Sequence, residues 1–406
     1  MTGCLGSIPI AVRDGGRVNR WWRAAPLTVF VVVTLGIVGL AMAISAAEHG
    51  WTTSTASVTA TPPVPAEPAL TFAVIGDIPY TPAQLAALPG WVDQINADPK
   101  VAFTVHVGDI KAGSSPCTSD YFRTVRGIFD RFRGPLIFTP GDNEWTDCHR
   151  TPAGEFDPLE RLAALRSIFF TTAGRTLGSA PLQVASLSAL GMPEIVSWRS
   201  TGVSFAALHV VGSDDGLRPW SGRGERTVTA AQRAEQTARS AAVRALVDTT
   251  IDSAAQANDR AVVFFLQADM FAAGEEEATD LTAYRPLVQT LAAAAGRYSG
   301  PIYLVNGGSH TFAHTRPLES GSEWLPAYGV DLPAPSIIRV AVDGSDRATG
   351  WLRLSLPAED PAAAPALTPL GVAGGLRDPL AITQVPFRSV ATATLASTGP
   401  PSSSGG

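Results

Sequence analysis

One dipeptide recurs where three apolar runs end: Gly76-Asp77 in IGDIPY, Gly108-Asp109 in VGDIKAG and Gly141-Asp142 in PGDNEW. A single aspartate after a strand is ordinarily a turn residue or a helix cap. Three in succession carry a different implication. At the carboxyl ends of neighbouring strands in an open α/β sheet, side chains converge on one crevice, so these carboxylates are expected within a few ångström of one another. Like charges that close either raise a pKa or are neutralised by a bound cation. The chemistry implied is a bound divalent cation.

The elements that must position these residues are legible as short apolar runs. TFAVIG, AFTVHVG, PLIFTPG, VSFAALHVVG, AVVFFLQ and PIYLVNGG begin at Thr71, Ala102, Pro135, Val203, Ala261 and Pro301. Near-continuous runs of this length suit strands buried on both faces. IIRVAV from Ile337 and GWLRLSL from Gly350 alternate more clearly and read as a closing antiparallel pair. Between them stand helix starts: Thr81-Pro82 with Gln84, Asp157-Pro158 with Glu160, and Thr229 with Gln232 ahead of an Ala-rich stretch ending near Asn258. Strand and helix alternate, so the class is α/β. Thr171 to Pro193 lacks a period and reads as a surface excursion.

The order of the motifs, with FFLQAD and NGGSHTF following, resembles the calcineurin-like metallophosphoesterase superfamily across 71–356. That resemblance implies an αββα sandwich, two central mixed sheets flanked by helices, whose strand-end loops hold two metals in the pattern GDxH, GDxx, GNHE or GNHD, a lone His, and GHxH. Carried over by position, Asp77 and Asp109 keep the first and the bridging aspartate, but Pro79 stands where the first motif has its His. Asp142 takes the place of the Asn ligand, Asn143 that of the His acting on the leaving group, and Gln267 that of the lone His. In the last motif Gly308 replaces the first His, and His310 keeps the second. The implied ligand set is Asp77, Asp109, Asp142, Gln267 and His310, mostly oxygen with one imidazole. Such donors suit Mn or Mg better than Zn, with Ca also open, at one or two ions.

The activity implied is hydrolysis of phosphomonoesters or phosphodiesters, with a phosphorylated small molecule or other phosphoester as substrate. The alternative is a catalytically inactive relative that binds a phosphorylated ligand, a cation or an envelope partner. Asn143 can donate a hydrogen bond but no proton, which removes an acid worth roughly 10²-fold or more. His149, in WTDCHR, is a substitute acid on one reading and a surface histidine near Asp147 on the other. His106 lies inside a strand and reads as a core histidine; His314 reads as second to His310 or as exposed. Lys111 offers either a fixed positive charge for the carboxylates or a surface ion pair. Asp214, Asp215, Arg218 and Trp220 border the cleft or cap a loop.

Ala24 to Ala47 contains no charged residue and is long enough to cross about 30 Å of hydrocarbon. Arg13, Arg17, Arg20 and Arg23 precede it, which puts residues 1–23 in the cytoplasm and the remainder outside, a single-pass topology. The competing reading is a signal peptide cleaved after Ser45 to Ala47, giving a secreted product. Residues 48–70 read as a Thr/Pro/Ala-rich linker and 357–406 as a mostly disordered Pro/Ala/Ser-rich tail. A net charge of −6 supplies no basic surface for nucleic acid. Export leaves Cys117 and Cys148 in an oxidising compartment, where spacing alone does not decide between a bridge and two free thiols. On the implied fold, both follow strand-end motifs that lie side by side.

Overall fold

Phe72 and Val74 face one way and Ala73 and Ile75 the other, yet all four are buried, because β1 (Leu70–Ile75) is covered on both faces. The same holds for the other strands read as near-continuous apolar runs. The computed structural model describes residues 69–272, 281–358 and 378–388. Every described residue falls in one unit, Pro62–Gly406.

After β1 come β2 (Val101–His106), β3 (Leu136–Phe138), β4 (Ala185–Leu187), β5 (Met192–Ser200), β6 (Val203–Ala207), β7 (Ala261–Leu266), β8 (Ile302–Asn306), β9 (Ala313–Thr315), β10 (Ile337–Ala341), β11 (Gly350–Leu356) and β12 (Ala381–Pro386). They form two mixed sheets, ordered β12-β11-β1-β2-β3 and β4-β5-β6-β7-β8-β10-β9. Within them β1-β2-β3 and β6-β7-β8-β10 run parallel. Between the sheets lies an aromatic seam in which Phe72 stacks on Phe103 at 5.1 Å and meets Phe205 and Phe265 edge-on at 5.7 and 5.9 Å. A second core joins the first sheet to helices Pro82–Asn96, Ser119–Phe129 and Pro158–Phe169. A third joins the other sheet to Ala230–Ala257 and Leu281–Ala295. The mixed α/β architecture with helices outside two packed sheets is the one expected.

The helix starts form where their capping residues stand. Thr81 and Gln84, and Thr229 and Gln232, close reciprocal capping boxes. Asp157 caps Pro158–Phe169 alone, accepting from Leu159 and Glu160 N–H, because Glu160 turns to Arg161. The long helix ends at Asn258 with φ 52°, a left-handed cap that Asn tolerates.

Three expectations are corrected. β10 and β11 are not partners: β10 pairs parallel with β8, while β11 pairs antiparallel with β1 in the other sheet. Alternation fixed their faces but not their neighbours. The stretch 171–193 is no simple excursion, since β4 edges the second sheet and Leu177 bridges to Leu136. The C-terminal stretch is not wholly outside the fold, because β12 pairs with β11 and Phe387 stacks on Trp91 at 4.2 Å. The apolar run 24–47 lies outside the described residues. Among those residues, no helix is long and apolar enough to cross a membrane.

Candidate metal centre

The carboxyl ends of both sheets open on one cleft of about 440 Å³. Asp77 follows β1, Asp109 follows β2 and His310 follows β8, and their ligand atoms lie within 4.8 Å of one another. All three residues hold left-handed backbone, with φ of 53°, 59° and 55°. Non-glycine residues in that region cost about 1–3 kcal/mol each and persist only when their surroundings fix them. Here the fixing contacts are visible. Asp77 N–H donates to Gly108 O at 2.9 Å, and Gly308 N–H donates to both Asp77 oxygens at 3.0 and 3.2 Å. Gly141 and Gly307 are required by close approach, since a Cβ on either would overlap a carboxylate oxygen of Asp109 or Asp77.

Tyr80 reaches the middle of this group. Its hydroxyl donates to Asp109 Oδ2 at 2.9 Å, lies 3.1 Å from His310 Nε2, and accepts from Asn143 Nδ2 at 3.0 Å. The sequence reading passed over it because the residue compared with the family's histidine was Pro79. A hydroxylated aromatic three residues after a strand-end aspartate was the available signal.

Burial, with repulsion from Asp142, Glu144 and the other carboxylates, pushes the Asp109 carboxyl well above its ordinary value, only partly offset by Tyr80. Burial likewise raises Asp77, against the opposing hydrogen bonds of His310 and Gly308. Two buried carboxylates held together at this cost are what a cation relieves. The span fits one ion, because two ligands about 2.1–2.4 Å from the same centre are at most about 4.2–4.8 Å apart. Two carboxylates and one imidazole suit Mn or Mg.

Asp142 lines the same cleft but is not in that group, and Gln267 lines the cleft too. Asp142 Oδ2 accepts from Ser213 Oγ at 3.0 Å, and Ser213 also lies 2.8 Å from Asp147 Oδ1. Gln267 Oε1 accepts from Gly212 N–H at 2.7 Å, and its Nε2 donates to Asp109 Oδ2 at 3.1 Å. Asn143 also faces the cleft, and its N–H donates to Asp109 Oδ1 at 3.2 Å. His149 is not brought there. It is buried, so it is not a surface histidine; its Nδ1 accepts from Gly222 N–H at 3.2 Å, and burial lowers it to about 4. His106 is the core histidine expected, with Nε2 2.8 Å from Ile78 O.

Behind the cleft, Lys111 is fully buried and donates to Asn143 O at 2.8 Å; burial lowers it to about 8. Glu144 accepts from Ile110 N–H at 2.7 Å, and burial raises it to about 7. Cys117 and Cys148 form a disulfide joining the loops after β2 and β3. Asp215 pairs with buried Arg239 at 2.5 Å, and Trp220 is buried against Thr146. Asp214 and Arg218 line the cleft.

Glu144 yields a pH prediction. Its folded pKa of about 7 exceeds the ordinary 4.5, so its contribution is intact below about pH 4.5 and is lost as pH rises through 7. Glu144→Gln, compared with the wild type in chelator, should be near neutral at pH 4.5 and more stable by about 3 kcal/mol above pH 7.5. A stability difference in urea melts that does not change with pH would contradict this assignment.

Residues 70–189 match the family model for calcineurin-like phosphoesterases. That stretch holds Asp77, Asp109 and Asp142 and is similar to that family. No curated protein matches the sequence. Among solved structures, a dimetal phosphatase from Danio rerio is similar at 11% identity and TM-score 0.43, over 72% of this chain and 96% of that one. GAP50, the anchor in the inner membrane complex of Plasmodium, is similar at 9% and 0.41, over 79% and 89%. Purple acid phosphatase PPD1 from yellow lupin is similar at 11% and 0.40, over 71% and 49%.

Proposed function

We propose that this chain is a membrane-anchored, extracytoplasmic phosphoesterase that hydrolyses phosphomonoesters or phosphodiesters with a divalent ion held by Asp77, Asp109 and His310. The observation that carries the reading is the convergence of those three side chains within 4.8 Å at strand ends drawn from both sheets. When bound, the ion supplies Lewis-acid polarisation of a phosphoryl oxygen and a lowered pKa for water. The chain's own groups do the rest. Tyr80 and Asn143 present a hydroxyl and an amide to the cleft, and Arg150 and Arg218 stand on its wall, each ion-paired to a carboxylate, where they orient an anionic ester.

No proton donor stands at Asn143, so the leaving group must depart as a weak base. The full chain with Mn or Mg should therefore hydrolyse p-nitrophenyl phosphate at least about 10²-fold faster than an alkyl phosphate. Chelator should abolish both rates. Equal rates on the two esters would point to an acid elsewhere, and no turnover of either would reject the enzyme reading. The missing acid is also the observation that favours the second reading, a binding module. It would show as saturable binding of a phosphorylated ligand without turnover.

Anchoring rests on the uncharged run 24–47 and the arginines before it. On this reading the chain stays with membranes through an alkaline carbonate wash and its C-terminus is protease-accessible from outside. A soluble product beginning near Glu48 would establish cleavage instead.

A further inference from the structure

We propose that the centre holds a single divalent ion, at Asp77, Asp109 and His310, and that Gln267 closes the neighbouring position between Asp109 and Asp142 to a second. This rests on the metal-centre reading above and goes beyond it by fixing the stoichiometry and its cause.

The decisive group is the Gln267 carboxamide. A backbone N–H can only donate, so the atom facing Gly212 N–H at 2.7 Å must be the amide oxygen. The NH₂ end then faces Asp109 Oδ2 at 3.1 Å. An amide nitrogen has no lone pair to offer a cation, and its hydrogens stand where a second ion would approach the shared carboxylate.

Turning the amide over would set the NH₂ against the Gly212 N–H, two donors facing each other, and leave that N–H without its acceptor. Gly212 cannot move aside easily. It opens a left-handed turn in which Ser213, Asp214 and Asp215 have φ of 51°, 57° and 53°. Asp215 ties that turn down through buried Arg239 and through Tyr284 Oη, which accepts from its N–H at 3.1 Å.

Asp142 Oδ2 accepts from Ser213, but hydrogen bonds of that kind reach Asp77 and Asp109 as well, so it is the Gln267 amide that distinguishes this position. Positive charge on this side comes from the protein, since buried Lys111 interacts electrostatically with both Asp109 and Asp142. Among the described residues, Asp77, Asp109 and His310 form the one group of three or more acidic, histidine or cysteine side chains with metal-ligand spacing.

The test is a manganese count on the full chain, loaded with excess Mn²⁺, freed of unbound ion, and examined by metal analysis and electron paramagnetic resonance. One Mn per chain with an isolated-ion spectrum, lost in Asp77→Asn, is expected. Two Mn per chain, or the spectrum of an exchange-coupled pair, would overturn the single-ion inference and leave the phosphoesterase reading standing. No retained Mn would overturn both. Gln267→Glu keeps an oxygen for Gly212 and puts a second where the N–H now faces Asp109, so the count should rise from one to two. A variant that keeps its circular dichroism spectrum and still binds one ion would overturn the role given to Gln267. The wild-type count stands whether or not that variant folds.

Discussion

Asp109→Asn is expected to lower metal-dependent phosphoester hydrolysis by at least about 10³-fold, because the lost ligand removes several kcal/mol of transition-state charge stabilisation. The same substitution should cancel the stabilisation that Mn confers on the wild type, about 2.7 kcal/mol at a hundredfold excess over Kd. In chelator the two proteins should melt closely together, since two effects oppose. Asparagine relieves a buried charge that its surroundings disfavour. Its NH₂ group, however, meets a donor whichever way it turns, because Asn143 N–H faces one oxygen and Gln267 Nε2 the other. Thermal melts with and without Mn therefore separate loss of metal from loss of fold. A variant that keeps the Mn-induced shift would remove Asp109 from the metal centre, whatever happened to the rate.

Much of this arrangement was readable in the sequence for a local reason. A strand buried on both faces is an apolar run, and the residue that turns out of it is a Gly-Asp pair, so β1, β2 and β3 and their aspartates could be placed from a few letters each. The helix starts were readable for the same reason, since Thr81 and Thr229 bond to residues three positions away. His310 was found because its Gly-rich loop follows a strand.

What was not readable depended on contacts between distant segments. Gln267 reads as an oxygen ligand from its place in the motif order, and nothing near it in sequence announces that its oxygen accepts from Gly212 N–H, 55 residues away. His149 looked exposed in WTDCHR, but Gly222, 73 residues on, covers it. Tyr80 carries no signal by itself. Its importance comes from Asp109, Asn143 and His310 arriving around one hydroxyl from three other loops. β12 escaped because AITQVP follows a long stretch of Pro and Ala, and it is ordered through β11, whose edge it covers.

Breaking the Cys117–Cys148 bridge should produce the other large change. The two cysteines are 31 residues apart. Closing a loop of that size removes unfolded-state entropy equivalent to about 4 kcal/mol, so Cys117→Ser with Cys148→Ser should lower the melting temperature by on the order of 10 °C. The bridge also bears on the centre. Both sulfurs lie against Asn143 O, at 3.4 and 3.6 Å, and that residue donates through its N–H to Asp109 and through its side chain to Tyr80. Lys111 holds the same carbonyl. The double variant should accordingly bind Mn more weakly at temperatures where it is still folded, and reductant should do the same to the wild type. If Mn affinity is unchanged while stability falls, the bridge acts on the unfolded chain alone and Lys111 suffices to place Asn143. If both fall, the link between the β2 and β3 loops sets the geometry in which Asp109 meets Asp77 and His310.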